Sequence, residues 1–200
     1  DCVKPILQII GTDQSHIASG LSIVLLDNKM YFFSDTTINI EPTAEQVAEI
    51  AMHAANAAQY FNQVPKVAML SFSNFTGRSE TSAKMKKAAE LVAKMRPDIV
   101  VDGEMQADTA INGKITERIF PFSNIKGGAN VLIFPNLASG NIAYKMVQQM
   151  GNAEVLGPFL MGVNKPANVT QRTGTVSDFA NTIILTALEA QAYKELRVNA

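Results

Sequence analysis

The strongest constraint on the fold is an alternation between short, almost wholly apolar runs and longer segments with one apolar face. The apolar runs occupy residues 66–71, 98–102, 130–134 and 155–161, and the intervening segments 81–95, 105–119, 139–150 and 176–197 have hydrophobic residues at helical spacing. Strands that are apolar on both faces must be covered on both faces, which is typical of a parallel sheet between helices. The sequence therefore predicts an α/β fold with a mainly parallel sheet in an α/β/α arrangement.

The first 65 residues depart from this alternation. Residues 4–11 form a short apolar run that ends at a glycine, and we interpret them as a buried strand. Two runs rich in β-branched and aromatic residues, 22–26 and 30–34, flank an Asp-Asn pair and predict a β-hairpin. Thr43 then precedes a helical pattern, and Gln46 stands at the capping-box position. A capped helix is therefore expected from this threonine onward.

Composition narrows the class of protein. With 200 residues, of which 47% are hydrophobic and 18% charged, the chain can form one large domain or two small ones around a substantial core. A formal net charge of −1 gives no general attraction to nucleic acid or to an anionic membrane, so any anion site must be local. Cys2 is the single cysteine, which excludes an intrachain disulfide and favours a reducing compartment. No apolar run approaches the roughly 20 residues that span a bilayer, and we expect a cytoplasmic protein.

A polar segment before the last predicted helix, residues 162–178, concentrates charge beside a helix start. It contains Lys165, Arg172 and Asp178. Thr175 and Asp178 have the spacing of a capping box, so the carboxylate can be explained as a helix cap. Alternatively, a cationic loop at a helix N-terminus can hold a phosphate-bearing ligand, and the carboxylate can act as a base beside it. The residues alone leave both interpretations open.

Other candidate residues follow the apolar runs, because ligands of parallel α/β sheets bind beyond the carboxyl ends of the strands. Residues 71–78 offer hydroxyl groups, a glycine and Arg78, which suit a phosphate, although a solvated arginine is the simpler explanation. Asp102, Glu104 and Asp108 suit a hard cation or, more simply, the capping of a helix start. A further anion-compatible helix start lies at Ser139 and Gly140.

Several familiar constellations are absent from the sequence. It contains no glycine-rich dinucleotide fingerprint, phosphate-binding P-loop, HExxH pair or nucleophile elbow. His16 and His53 stand alone without a serine or cysteine motif, so we expect neither histidine to be catalytic. Motifs therefore give no support to dinucleotide binding, nucleotide hydrolysis, zinc hydrolysis or α/β-hydrolase chemistry.

Ordered motifs along almost the whole chain resemble the phosphate acetyltransferase/butyryltransferase family. They are residues 4–12, 31–35, 42–46, 67–73, 102–106, 134–137, 140–145 and 164–166. The resemblance implies the two-domain α/β/α architecture related to isocitrate and isopropylmalate dehydrogenases, with a cleft between the domains and usually a homodimer. Family members begin well before Asp1, so this chain is similar to their second half. Residues 1–15 would then supply a strand of the first domain, 16–161 the central inserted domain, and 162–200 the return segment and closing helix of the first domain.

The resemblance also implies the exchange of an acyl group between phosphate and coenzyme A. In the family, a Ser-Arg pair and an Asp six residues after the Arg precede or begin the last helix: the Arg holds the phosphate, the Ser assists the carbonyl oxygen, and the Asp deprotonates the thiol. Arg172 and Asp178 match this pattern, whereas Gln171 replaces the serine. Lys4 replaces a phosphate-binding arginine before proline and lacks its bidentate fork. The implied residues that bind acetyl-CoA and phosphate are Lys4, Ser71, Ser73, Lys165, Gln171 and Arg172, with no metal ligand.

These departures, with residues 73–75 and 102–112, resemble more closely the transferase-like domain at the C-terminus of bacterial NADP-dependent malic enzymes. In that hybrid family the domain is thought to bind acetyl-CoA and to regulate the domain that decarboxylates malate. Loss of an oxyanion donor, as at Gln171, costs about 100- to 1000-fold in rate. We therefore expect a regulatory acetyl-CoA-binding domain, with NADP and a divalent metal bound only by residues outside this chain.

Two alternatives to this expectation stay open. One is an active phosphate acetyltransferase, and the other is a dimerisation module with a vestigial cleft. In each case the expected partners are small molecules, such as acetyl-CoA or acetyl phosphate, and further copies of the chain in a homo-oligomer that is at least a dimer. Neither nucleic acid nor a membrane is an expected partner.

Overall fold

The computed structural model describes residues 3–170 and 174–198, with side chains as far as residue 191. In chain order the elements are α1 (Val3–Ile10), β1 (Ser19–Leu26), β2 (Lys29–Ser34), α2 (Ala44–Tyr60), β3 (Lys66–Leu70), α3 (Glu80–Met95), β4 (Val100–Met105), α4 (Ala107–Ile111), α5 (Gly113–Ile119), β5 (Val131–Ile133), α6 (Leu137–Met150), β6 (Glu154–Met161) and α7 (Val176–Val198).

The strands form a six-stranded sheet in the order β4-β3-β5-β2-β1-β6. Parallel pairings join β4, β3, β5 and β2. Strand β1 runs antiparallel to both β2 and β6, so β6 points in the same direction as β2. Of the described strands, all except β1 therefore end at the same edge of the sheet, which we call the carboxyl edge. The prediction of a mainly parallel sheet is confirmed.

Alternate residues of the strands enter two hydrophobic cores, one on each face of the sheet. Phe32 packs on the face covered by α2 and α3, whereas its neighbour Phe33 packs on the face covered by α4 and α6. Val67 and Ala68 divide in the same way. The two-residue period of a strand produces this division, and it requires apolar residues at both kinds of position. The predicted α/β/α arrangement is confirmed.

Local signals predicted the hairpin and helix α2 correctly. Strands β1 and β2 pair with Leu26 opposite Lys29, across a turn whose two residues both have positive φ. The N–H group of Gln46 donates to the hydroxyl of Thr43 at 3.3 Å, and the N–H group of Thr43 donates to Gln46 Oε1 at 2.9 Å. These two bonds complete the predicted capping box at the start of α2.

The predicted strand at residues 4–11 is wrong, because Val3–Ile10 form helix α1. An apolar run this short does not distinguish a buried strand from a helix. Pro5 lies in the first turn, where its missing N–H group is not needed. Gly11 adopts a φ of 73°, and its N–H group donates to the carbonyl of Leu7 at 2.9 Å. The glycine therefore ends a helix, as left-handed glycines often do.

Two predicted boundaries also change. Strand β4 covers Val100–Met105 instead of residues 98–102, and the predicted helix over 105–119 is divided into α4 and α5. Asn112 ends α4 and caps α5 by accepting the N–H group of Lys114 at 3.2 Å. A Cβ atom at Gly113 would lie 2.6 Å from the backbone of Gly127, so this junction requires glycine. The periodic pattern continues across the break, which is why sequence periodicity alone missed it.

The segments before β1 and after β6 pair with each other. Thr12 and Val163 form an antiparallel bridge. The N–H group of Asp13 donates to the carbonyl of Gly162 at 3.0 Å, and that of Asn164 donates to a carbonyl in the first segment at 3.2 Å. The division into residues 1–15, 16–161 and 162–200 stays a prediction.

Candidate functional site

The carboxyl edge gathers the loops in which ligands of α/β sheets bind. Residues 35–39 follow β2, and we call them the β2 loop. Beside them lie residues 134–136, which join β5 to α6, and residues 162–170, which follow β6. The loops after β3 and β4 lie further along the edge, because the strand order places β5 between β3 and β2.

The β2 loop is organised by the buried carboxylate of Asp35. Its Oδ1 accepts the N–H groups of Gly20, Thr37 and Ile38 at 2.9, 2.8 and 3.1 Å. Its Oδ2 accepts the backbone N–H and side-chain Nδ2 of Asn39 at 2.8 and 2.5 Å. These five donors replace the hydrogen bonds to water that the carboxylate loses on burial. Four of them are backbone N–H groups, so they also fix the course of the backbone. The loop therefore forms a rigid wall.

Helix α6 begins against the β2 loop and forms a second wall. Asn136 caps it by accepting the N–H group of Ser139 at 3.0 Å. A Cβ atom at Gly140 would overlap a backbone oxygen of the β2 loop, so only glycine permits this approach. Asn141 Nδ2 donates to the carbonyl of Thr36 at 3.1 Å and ties the two walls together. The hydroxyl of Ser139, at the predicted anion-compatible helix start, bonds to the cap residue itself.

A groove runs between these walls and extends to helix α1. Its larger part has a volume of about 610 Å³ and is lined mainly by apolar side chains of α6 and β6, together with Thr37, Asn141, Lys145 and Thr170. An adjoining hollow of about 460 Å³ contains Lys4 and is bounded by the β2 loop. Val3 and Thr37 line both parts. We call the two parts together the edge groove.

The sequence-predicted cationic residues differ in their relation to this groove. Lys4 lines it, although from a helix rather than from the expected strand. Lys165 is exposed after β6 and is absent from the described lining of the groove. Gln171 and Arg172 lie outside the described residues, but Thr170 immediately before them lines the groove. Among the described residues, the groove therefore contains the predicted Lys4 and the residue that precedes the predicted pair in sequence, Thr170.

Asp178 forms the predicted capping box at the start of α7. Its Oδ2 accepts the N–H group and the hydroxyl of Thr175 at 2.7 and 2.9 Å, and its own N–H group donates to that hydroxyl at 3.2 Å. The residue also lines a small hollow of about 190 Å³ with Thr170 and Gly174. The capping interpretation of Asp178 is therefore confirmed as geometry.

Residues 71–78, the loop after β3 that was predicted to suit a phosphate, bind a carboxylate of the chain itself. Glu104 Oε1 accepts the hydroxyl of Ser73 at 3.0 Å and the N–H groups of Thr76 and Gly77 at 2.7 and 3.0 Å. Burial acts to raise the pKa of Glu104, but these donors outweigh it and hold the pKa below its ordinary value. The charged carboxylate fills the place that an external phosphate would take. The hydroxyl of Ser71, nearby, is buried with no hydrogen-bond partner in the described part of the chain.

The remaining polar residues at this end of the edge have structural contacts. Asp102 Oδ2 accepts the hydroxyl of Ser123 at 2.8 Å and the N–H group of Asn124 at 2.7 Å. Asp108 accepts a backbone N–H group in the first turn of α4, as expected of a capping acid, and Arg78 is exposed. The described residues contain no group of three His, Cys, Asp or Glu side chains that could hold a metal ion.

The two histidines lie away from the edge groove. His53 is on α2, and its Nε2 is 3.7 Å from Asp13 Oδ2. Burial lowers the pKa of His53, although the charge of Asp13 acts to raise it. His16 is exposed in a turn, with a φ of 58°. Neither residue lines the groove described above.

Sequence reasoning missed the β2 loop and Asn141 as walls of the groove. A signal was present, since residues 35–39 directly follow an apolar strand. Treating residues 30–34 only as half of a hairpin concealed it. The parallel pairing of β2 with β5 brings the loop to the carboxyl edge, and that pairing joins residues about one hundred positions apart.

An α/β/α domain with a mostly apolar groove at the carboxyl edge, lined by Lys4 and Lys145, belongs to the broad class of α/β domains that bind small molecules beyond their strands. Residues 1–187 match the phosphate acetyl/butaryl transferase family, and the chain belongs to that family. The fold agrees with this membership, as the comparison with solved structures confirms.

The relatives are phosphate acetyltransferases of greater length. The chain is 41% identical over 192 residues to the phosphate acetyltransferase of Bacillus subtilis (strain 168), covering 95% of this chain and 59% of that protein. A phosphotransacetylase structure from Streptococcus pyogenes matches with a TM-score of 0.90 and 39% identity, covering 95% of this chain and 59% of that one. The EutD phosphotransacetylase structure from Staphylococcus aureus matches with a TM-score of 0.87 and 36% identity, covering 96% and 59%. The chain thus spans less than two thirds of the length of these relatives.

Proposed function

We propose that this chain forms the larger part of a phosphate acetyltransferase, which exchanges an acetyl group between phosphate and coenzyme A. The observation that carries the proposal is the edge groove, which brings Lys4, Thr37, Asn141 and Thr170 together from four distant parts of the chain. Two of these residues, Lys4 and Asn141, lie within segments that resemble the transferase family. Membership of that family and the names of the relatives support the same activity.

In the proposed reaction, the thiol of coenzyme A gives its proton to Asp178, and the sulfur attacks the carbonyl carbon of acetyl phosphate. The bond from that carbon to the phosphate oxygen then breaks, so a thioester forms and the phosphate leaves with the proton that Asp178 returns to it. Lys4 and Arg172 hold the phosphate group, and the amide of Gln171 donates to the carbonyl oxygen in place of the family's serine. For Asp178, Oδ2 carries the cap bonds and Oδ1 is the proposed proton acceptor.

Ser71, Ser73 and Lys165 are proposed to bind coenzyme A away from the reacting atoms. For Ser73 this requires its hydroxyl to be shared with Glu104, to which it now donates. No tightly held cofactor is part of the proposal, since acetyl-CoA and phosphate are the substrates. The proposed protein acts as a homo-oligomer in the cytoplasm. Among the described helices, none is both long and apolar enough to cross a membrane.

A second candidate is the regulatory acetyl-CoA-binding domain of an NADP-dependent malic enzyme. Gln171 and Lys4 favour it, because both replace residues that the transferase reaction uses. The relatives named above are phosphate acetyltransferases, which favours turnover over regulation. We therefore place transfer first.

The two candidates differ in one assay. The protein at its natural length is incubated with acetyl-CoA and phosphate, and acetyl phosphate is measured. Transfer at ordinary enzyme rates, about 1 to 1000 per second, supports the transferase. Binding of acetyl-CoA without turnover would instead favour the regulatory domain, and Gln171→Ser provides a variant in which the family's serine is restored.

A further inference from the structure

We propose that Thr37 is a ligand-binding residue of the edge groove, with its hydroxyl donating to an oxygen of the acyl phosphate. The proposal rests on the proposed function, and it adds a residue that the family pattern in the sequence did not indicate. The ligand is an acyl phosphate, whose charged end lies towards Lys4 and whose acyl end lies towards the apolar part of the groove.

The position of Thr37 in the groove is the first observation. The part that contains Lys4 and the larger, mostly apolar part, which also contains Lys145, meet at Val3 and Thr37, which line both. Of these two residues, the threonine alone has a polar side chain. A ligand with its charged end in one part and its apolar end in the other must therefore pass this hydroxyl.

The side chain is held in place but has only a weak internal partner. A Cβ atom at Gly20 would lie 2.5 Å from the Cβ and 2.6 Å from the hydroxyl oxygen of Thr37, so the threonine packs directly on the glycine. Its backbone N–H group is fixed by Asp35 at 2.8 Å. Its hydroxyl bonds to Thr36 Oγ1 at 3.4 Å, which is long for two hydroxyl groups. A positioned hydroxyl with so weak a bond can donate to a ligand at little cost in lost interactions.

The neighbouring threonine provides the contrast. Thr36 is fully buried, and its hydroxyl bonds to Ser22 Oγ at 2.9 Å and to the carbonyl of Gly20 at 3.2 Å. These contacts direct it towards strand β1, so it cannot reach the groove. The two adjacent threonines of this loop therefore differ. Thr37 lines the groove and has a weakly bonded hydroxyl, whereas the hydroxyl of Thr36 is held by bonds that support the fold.

The test compares the affinity of the full protein for acetyl phosphate, measured by isothermal titration calorimetry, in Thr37→Val, Thr37→Ser and Thr36→Val. Thr37→Val keeps the shape of the side chain and removes the hydroxyl, so we expect affinity to fall about two- to tenfold, the usual effect of a neutral hydrogen bond. Thr37→Ser restores the hydroxyl and should bind like the wild type. Thr36→Val should lower the melting temperature without weakening binding.

Unchanged affinity in Thr37→Val, or an equal loss in Thr36→Val, would overturn the inference while leaving the proposed function intact. If Thr37→Val does not fold, Thr37→Ala replaces it in the same comparison with Thr37→Ser. A wild-type protein that binds neither acetyl phosphate nor acetyl-CoA contradicts the proposed function itself, and the role of Thr37 with it.

Discussion

Asp178 combines a structural and a chemical role in one carboxylate. Its Oδ2 closes the capping box of α7 with Thr175, which satisfies N–H groups that a helix start leaves without partners. The proposed proton transfer would use the other oxygen. A helix cap needs only a hydrogen-bond acceptor, whereas a general base must also take up a proton. A substitution that keeps the acceptor and removes the basic group therefore separates the two roles.

The variant Asp178→Asn should lose transfer by about 100- to 10,000-fold, because an amide cannot take the thiol proton. Its oxygen can still accept the cap bonds, so the melting temperature should change little. The matched control Thr175→Ala removes the cap from the other side and should cost about 1 kcal/mol of stability with most of the transfer retained. Steady-state kinetics and thermal unfolding measure both. Full activity in Asp178→Asn would show that the residue is only a cap.

The sequence predicts that Lys4 and Lys165 both belong to the residues that bind acetyl-CoA and phosphate, and their surroundings distinguish them. Lys4 lines the edge groove, whereas Lys165 is exposed after β6. Substitution by methionine removes the charge and keeps most of the aliphatic stem. Lys4→Met should weaken phosphate binding about ten- to a hundredfold, as expected for a hydrogen bond to a charged group, while Lys165→Met should change it little. A larger effect of Lys165→Met in calorimetry would move the anion site to the return segment.

The β2 loop and helix α6 depend on each other as elements. The loop is shaped by the donors around Asp35, and the helix approaches it through Gly140 and Asn141. Neither wall of the edge groove is set by local sequence alone. The contact between them fixes the width of the groove, so a change at the contact should affect both stability and binding.

Gly140→Ala tests this contact between the elements. The added methyl group overlaps a backbone oxygen that cannot move without disturbing the five donors around Asp35. We expect a loss of about 1–3 kcal/mol in the free energy of unfolding, measured in urea, and weaker binding of acetyl phosphate. Ser139→Ala, the matched control, adds no atoms and should cost at most about 1 kcal/mol. Equal stability of Gly140→Ala and the wild type would contradict the close approach.

The whole molecule carries ionisable groups whose burial links its stability to pH. Burial lowers the pKa of His53 on the α2 face from its ordinary value of 6.5. Between the two values the unfolded chain binds more protons than the folded chain, so stability falls as the pH decreases below about 6.5. Burial raises the pKa of Glu189, against a smaller opposing effect of Asn168. Its contribution has the opposite sign, present at low pH and lost as the pH rises.

We expect the wild type to lose stability between about pH 7.5 and pH 6, and His53→Gln to lose less over the same range. In the unfolded wild type the imidazole of His53 binds a proton over this range, whereas a glutamine binds none in either state. His16→Gln removes an exposed histidine and should retain the wild-type slope. Unfolding in urea at the two pH values gives the comparison. Parallel slopes for His53→Gln and the wild type would exclude His53 as the source.

The sequence predicted the core and the sheet well, because apolar strands and amphipathic helices leave local periodic signals. It also predicted both capping boxes, at Thr43 and Thr175, from residues three positions apart. It misassigned α1, where a short apolar run has no informative period. It did not find the walls of the groove, since these depend on the nonlocal pairing of β2 with β5. The sequence likewise did not indicate that the carboxylate of Glu104 occupies the loop of residues 71–78, because this contact joins residues 28 positions apart.

The central claim is that the ligand binds in the edge groove, and amide chemical shifts test it most directly. The protein labelled with ¹⁵N is titrated with acetyl phosphate, and the shifted amides are assigned. The account predicts shifts at Thr37, Ile38 and Asn141, which surround the groove. A hollow of about 760 Å³ lies at the opposite edge, lined by residues 25–31 and 127–130. Shifts confined to that hollow, with none at the β2 loop, would contradict the account.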